Sequence, residues 1–248
     1  RTSRNIVDGA SDGTSVPFVR FGNRTQVIED LKSVMPDADF HRLKQTHSDS
    51  LQLSSAQTKT DDPFLGPSKI EGDAIATSSL NVAVGVSTAD CIPIAIVGGE
   101  TAVAIHAGWK GVQNEIILKS LAELKAKGFD SKKAEAFIGP HILRSSFEVD
   151  KALAESFQSQ YDADLEKCPP NERGYFHDLI LSPSPVSKHK AYVDLLNIAR
   201  LQMCLGGIPF QSIHFFLQDT KTTLEWASFR REGANMGKNL TFVSRRTP

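Results

Sequence analysis

The sequence predicts a mixed α/β fold (α+β), a single compact domain over residues 1–248 in which mixed β-sheets are layered with helices. Three observations carry that expectation. Short apolar and β-branched runs alternate with segments of helical period, in an order that fits neither a helical bundle nor a regular doubly wound sheet. The runs between Val82 and Ala107 are apolar on both faces, as strands covered by further layers are. With 248 residues and 40% hydrophobic content, the chain can bury roughly 70% of its unfolded surface without disulfide staples.

The elements follow in order. TQVIEDLKSVM (25–35) has helical spacing, and FHRLKQTH (40–47), SLQLS (50–54) and DAIATS (73–78) read as strands. NVAVGV, IPIAIV and TAVAIHA are three further strands, the last two joined through a turn at Gly98 and Gly99 that suits a hairpin. WKGVQNEIILKSLAELKAKG (109–128) reads as one helix, with Val112, Ile116, Leu118, Leu121 and Leu124 on a common stripe and Gly128 at its end. AEAFIGP is a strand stopped by Gly139 and Pro140, and DKALAESFQSQY (150–161) is a helix with Asp150 as N-cap. Cys168 to Lys190, rich in proline, is the longest loop. VDLLNIARLQMCLGG is a helix ending at Gly206 and Gly207, and SIHFFLQ closes the set as a strand.

Lys and Arg total 28 against 29 Asp and Glu, a net charge of −1, which supplies no broad cationic field for nucleic acid or for an anionic membrane surface. A small molecule is the expected partner; nothing in the sequence fixes an oligomeric state. Cys91, Cys168 and Cys204 are an odd, widely spaced set that reads as free thiols in a reducing compartment. No apolar run approaches the roughly 18 residues a membrane span needs, so a cytoplasmic location is expected. The chain opens on Arg1, which leaves room for an upstream targeting segment.

STADCIPIAIVGGETAVAIHAGWKG concentrates the chemistry. Cys91 opens one strand and His106 closes the next, so a hairpin would return the imidazole to the thiol. His47 could join them from a third strand. Two imidazoles and a thiolate suit zinc, and three protein ligands leave a fourth position for water or substrate. The competing reading is a buried thiol and two hydrogen-bonded histidines. Asp73 and Asp90 abut apolar strands, where an unpaired carboxylate is costly, and Asp49 lies close to His47. Asp90 could orient a ligand histidine or accept backbone amides in its turn. The glycines around Trp109 would let the backbone pass close to a ligand.

QTH at His47, GDA at Asp73, TADC at Cys91 and HAGWKG from His106 together resemble the laccase-domain family, first described as multicopper polyphenol oxidases and later recast as zinc-dependent purine nucleoside enzymes. The resemblance continues through IGP at Gly139 and Pro140, FEV at Phe147, YVDLLNIARLQMCLGGI, SFRREG and the GK at Gly237 and Lys238. It implies a layered α/β sandwich and a zinc ion held by His47, Cys91 and His106. It also implies phosphorolysis of adenosine, inosine, guanosine and methylthioadenosine, together with deamination of adenosine.

On that resemblance a metal-acidified water attacks C6 of the purine while Asp73 moves protons, with Asp90 and Cys91 as further catalytic candidates. Arg4, Arg230 and Arg231 are the candidate phosphate holders, since guanidinium forks match phosphate oxygens. The oxidase description fits poorly, because several copper sites need more than the chain's seven histidines readily supply. His141 stands where many relatives carry cysteine, which would alter the pocket, offer a fourth nitrogen, or leave a plain loop histidine. Two other classes compete: a metal-free cysteine hydrolase with Cys91 as nucleophile and a histidine base, and a non-catalytic binding protein of the same fold.

Overall fold

Residues 6–8, 16–60, 66–177 and 179–246 are described by the computed structural model, and among them the chain forms 14 strands and seven α-helices. Strands β1 (Ile6–Asp8) and β2 (Val16–Asn23) lead into α1 (Arg24–Val34). Then come β3 (Asp39–Arg42), β4 (Leu51–Leu53), β5 (Ala74–Thr77), β6 (Val82–Thr88), β7 (Ile92–Gly98) and β8 (Thr101–Ala107). Helices α2 (Trp109–Gln113) and α3 (Ile116–Ala126) precede β9 (Glu135–Ile138), β10 (Glu148–Asp150), α4 (Lys151–Lys167) and α5 (Pro170–Arg173). The chain ends through β11 (Leu181–Pro183), β12 (Lys190–Val193), α6 (Leu195–Leu205), β13 (Ile213–Phe215), α7 (Phe229–Glu232) and β14 (Asn239–Arg246).

The strands form three sheets, in the orders β1-β2-β14-β6-β3, β13-β9-β7-β8-β5-β4 and β10-β12-β11. Side-chain alternation assigns each face. On β7 and β8, Ile92, Ile94, Ile96, Val103 and Ile105 pack with Ile117 and Leu121 of α3 and Leu201 of α6. The opposite faces of the same strands carry Ala95, Val97, Ala102 and Ala104, which meet Val19 and Phe21 of β2, Val84 and Val86 of β6 and Val243 of β14. Small residues on one sheet therefore receive larger ones from the other, the interdigitation that close packing requires. The outer face of the five-stranded sheet is covered by α1 through Val27, Ile28 and Leu31 against Phe18 and Phe242. The expected layering of mixed sheets with helices is what the chain adopts.

Local chemistry accounts for most boundaries. The Asn23 side chain accepts from Gln26 N at the start of α1, and Asp194 accepts from Asn197 N at the start of α6. The β7–β8 hairpin turns through Gly99, whose φ of +53° lies in the left-handed region that glycine adopts without steric cost.

Three expectations need correction. The single helix expected over 109–128 is two, because Glu115 adopts φ +60° and interrupts the hydrogen-bond ladder. Helix α4 continues past Tyr161 to Lys167, and Asp150 occupies its N-cap position without a side-chain cap bond. The segment from Cys168 to Lys190 is not all loop: it contains α5 and β11, the latter paired with β12.

Candidate functional site

The hairpin register delivers the first contact. Ile92 pairs with Ala107 and Pro93 with His106, so Cys91, one residue before β7, lies beside the end of β8. The strand expected over FHRLKQTH stops at Arg42, and the chain then crosses from the five-stranded to the six-stranded sheet. His47 lies on that crossing, with a φ of +60°. The ligand atoms of His47, Cys91 and His106 all fall within 4.8 Å of one another. Cys91 Sγ is 3.9 Å from His47 Nε2, and the two imidazole rings meet edge to face at 4.9 Å between centroids. Among the described residues this is the one such cluster of three or more His, Cys, Asp or Glu donors.

Gly108 explains how three segments approach so closely. A Cβ there would sit 2.7 Å from His47 Cδ2 and 3.1 Å from Cys91 Sγ. Only a residue without a side chain fits.

Asp73 organises the trio from behind. It immediately precedes β5 on the side-chain face shared with Ile75, and its carboxylate is fully buried. Oδ1 lies 2.7 Å from His106 Nδ1, and the backbone amides of Thr46, His47 and Ser48 donate to its oxygens at 2.7–3.1 Å, with the Ser48 hydroxyl adding a bond at 2.7 Å. An Nδ1–H donated to Asp73 leaves His106 Nε2 as the available ligand atom. One side chain thus fixes the tautomer of one histidine and the loop that carries the other.

Without a metal, charge holds the trio together: a His106 imidazolium lies between the Asp73 carboxylate and the Cys91 thiolate, and a bound ion would take the place of its Nε2 proton. Burial opposes charge on Asp73, but its bonds from His106 and Ser48 outweigh it and hold the carboxyl at about 2. Burial would raise the Cys91 thiol, yet His106 and His47 bring it down to about 6. Burial would likewise lower His106, and the Cys91 charge together with Asp73 raises it to about 9.

In front of the trio opens a cavity of about 630 Å³. Trp109, Ile142, Phe147, Phe229 and Met236 give it apolar walls, and Arg42, Lys44, Arg230 and Lys238 give it cations. Burial lowers Lys238 and neighbouring Arg42 adds to the effect, while Cys91 opposes it. A volume of this size and an apolar lining with a few convergent polar groups suit a small organic ligand.

The remaining sequence candidates divide. Asp90 and Arg230 line the cavity. Asp90 touches no histidine among its described hydrogen bonds; its carboxylate accepts from Thr220 Oγ1 at 2.6 Å and Arg230 N at 2.7 Å. Arg231 corrects an expectation. Its guanidinium donates to the carbonyls of Thr220, Lys221, Thr223 and Trp226 at 2.5–3.4 Å and pairs with Glu232, so its donors are spent on folding one loop rather than on phosphate. Asp73 is corrected too: as a proton mover it lacks access, because it lies behind His106 and does not line the cavity. His141 is fully buried, donates from Nδ1 to Gly139 O at 2.8 Å and stays out of the cavity, so it supplies no fourth ligand. Asp49 forms a surface ion pair with Lys119, and Arg4 lies outside the described residues. Arg42 escaped the sequence reading, since it sits within an apolar strand run; a cation in that setting was the available signal.

The family described as multi-copper polyphenol oxidoreductase laccase matches residues 19–246. A purine nucleoside phosphorylase of Aquifex aeolicus is 44% identical over 89 residues, 36% of this chain and 42% of that protein. The chain therefore spans less than half the length of that relative. Purine nucleoside phosphorylase RC0672 of Rickettsia conorii is 29% identical over 84% of this chain and 79% of its own. Adenosine deaminase RL5, from an unknown prokaryotic organism, is 26% identical over 82% and 74%. Among solved structures, YlmD from Geobacillus stearothermophilus superimposes with a TM-score of 0.75 at 19% identity, covering 99% of this chain and 98% of that one, which establishes the fold.

Proposed function

The chain belongs to the multi-copper polyphenol oxidoreductase laccase family, and on that premise we propose that it is a zinc-dependent purine nucleoside enzyme. It phosphorolyses adenosine, inosine, guanosine and methylthioadenosine to base and ribose 1-phosphate, and it deaminates adenosine to inosine. The observation that carries this reading is the convergence of His47, Cys91 and His106 at the floor of one cavity with apolar walls and a cationic flank. Relatives named purine nucleoside phosphorylase and adenosine deaminase support it.

The donor set fits zinc. Two imidazoles and a thiolate are borderline-soft ligands, three of them leave a position open, and Asp73 behind His106 is the carboxylate–histidine support that such ligands use. Gly108 keeps the space between the ligands free of any side chain. When bound, zinc supplies a Lewis acid that polarises substrate oxygen and acidifies water. A chain with one such cluster among its described residues is poorly equipped for multicopper oxidation.

The protein groups have separable tasks. Phe147, Phe229, Trp109 and Ile142 accept the flat apolar faces of a purine and exclude water from it. Arg230, Lys238 and Arg42 hold an anion beside the ribose, so that a phosphate oxygen bonds to C1′ as the bond from C1′ to the purine nitrogen breaks and the base departs with a proton. In deamination, water adds at C6 and ammonia leaves. Asp73 carries no proton in either reaction; it keeps His106 in one tautomer.

Incubating zinc-loaded protein with adenosine, with and without phosphate, and separating products by chromatography tests the proposal. Adenine with ribose 1-phosphate marks phosphorolysis and inosine marks deamination; unchanged adenosine in both reactions overturns the reading. The lowered Cys91 thiol favours one alternative, a metal-free cysteine hydrolase. Metal analysis separates the two: about one zinc per chain, lost in Cys91→Ala, belongs to the first reading, and a metal-free protein inactivated by alkylation of Cys91 belongs to the second.

A further inference from the structure

We propose that Asp90 is a positioning residue which holds Arg230 in place for the phosphate anion. The inference rests on the reading of the cavity as a nucleoside and phosphate site. It starts from backbone geometry. Asp90 is one of four described non-glycine residues with positive φ, at +87°, and it is buried. An aspartate held there is under backbone strain, which persists only where the surroundings over-determine it.

What over-determines it is a set of bonds to three segments. The Asp90 carbonyl accepts from Ile142 N at 2.9 Å, placing one wall of the cavity. Oδ1 accepts from the Thr220 hydroxyl at 2.6 Å, and Thr220 N in turn donates to His141 O at 3.1 Å. Oδ2 accepts from the Arg230 amide at 2.7 Å. The Arg230 guanidinium then lies over the Phe147 ring, 5.6 Å from its centroid, and gives one donor to Glu148 O at 2.9 Å. Among the described residues its other donors bond no protein acceptor, so they remain for an oxyanion. Neighbouring Arg231 is tied to loop carbonyls and anchors the other side of the same turn. Although Asp90 lines the cavity, both of its carboxylate oxygens are taken up by protein donors, the Thr220 hydroxyl and the Arg230 amide. Its effect passes through where Arg230 stands.

Asp90→Gly deletes the carboxylate and relieves the positive φ, whereas Asp90→Asn retains an oxygen for the Arg230 amide and a group able to pair with Thr220. In zinc-loaded protein, calorimetric titration of inorganic phosphate and the phosphate KM of adenosine cleavage are to be read together with zinc content by mass spectrometry. Asp90→Gly is expected to weaken phosphate about tenfold or more, the scale of a lost charge-assisted bond. Adenosine KM and zinc content should change less than twofold, and Asp90→Asn should recover most of the phosphate affinity. In Arg230→Ala, adding Asp90→Gly should weaken phosphate no further. Phosphate affinity unchanged in Asp90→Gly, loss of zinc in parallel with phosphate, or additive losses in the double variant would each overturn the inference. If Asp90→Gly does not fold, Thr220→Val, which removes one bond to the same carboxylate, is expected to weaken phosphate severalfold, and wild-type affinity in that variant overturns the inference equally. Wild-type protein that binds phosphate but consumes no nucleoside would count against the functional reading and leave the calorimetric comparison standing.

Discussion

A cysteine beside two imidazoles can bind a metal only as its thiolate, and the surroundings of Cys91 favour that form. Burial of Cys91 opposes ionisation, but His106 and His47 reverse the sign and bring the thiol to about 6. Chelator-treated protein should therefore react with iodoacetamide at Cys91 with a rate that rises through about pH 6 instead of near the ordinary thiol value, and zinc should suppress that reaction. A midpoint above pH 8, measured by mass spectrometry of the labelled peptide, would contradict the thiolate. Asp73 carries a second prediction. Its carboxyl is held at about 2, below the ordinary 3.8, so its stabilising bonds are fully present above about pH 4 and are lost as pH falls through the folded-state value. Asp73→Asn should shrink the acid limb of the stability curve and, by loosening His106, weaken zinc by about 10- to 100-fold, the usual scale for a lost ligand support. Unchanged zinc affinity in that variant would deny Asp73 its role.

At the scale of elements, the site follows from one hairpin and one crossing. The β7–β8 register sets Cys91 beside His106, and that much was readable in the sequence, because the two apolar runs, the glycine turn and the flanking Cys and His lie within one short stretch. The crossing that brings His47 was not readable from spacing: FHRLKQTH looks like a continuous strand, yet β3 ends at Arg42 and the chain reaches His47 on the connection to the next sheet, with a positive φ there. The same blindness split the helix at Glu115, since apolar periodicity continues across the break while a single backbone angle ends the ladder. Strands β2 and β14 pair over eight residues at the centre of one sheet, yet they stand more than 200 positions apart in the chain, a distance at which pairing leaves no local signal. Arg231 shows the matching limit for side chains, as an Arg-Arg pair reads the same whether its forks face an anion or a row of carbonyls. Gly108 makes the element-scale prediction. Gly108→Ala places a methyl 2.7 Å from His47, so zinc affinity should fall more than tenfold while circular dichroism stays that of the wild type; an alanine variant with wild-type zinc content would show that the loop yields.

Across the whole molecule, the candidate metal ligands come from three places that the fold brings together at one end of the sandwich. His47 lies on the connection between sheets, Cys91 at the start of a central strand and His106 at the end of its neighbour, so an ion bound by all three would tie the two sheets to each other. A ligand that binds the native chain and not the unfolded one stabilises it in proportion to the logarithm of its concentration over Kd, about 2.7 kcal/mol at a hundredfold excess. For a chain of this length, that stabilisation raises Tm by roughly 5–10 °C, at about 2–4 °C per kcal/mol. Thermal unfolding followed by calorimetry should show Tm dropping on chelation and returning on titration with zinc, with a shift that grows with free zinc concentration. Cys91→Ala should remove most of that dependence, because one imidazole pair without the thiolate spans the same sheets with far weaker affinity. Zinc-dependent stabilisation of equal size in Cys91→Ala would place the ion elsewhere in the molecule, and the cavity in front of the trio would then need another explanation for its convergent cations.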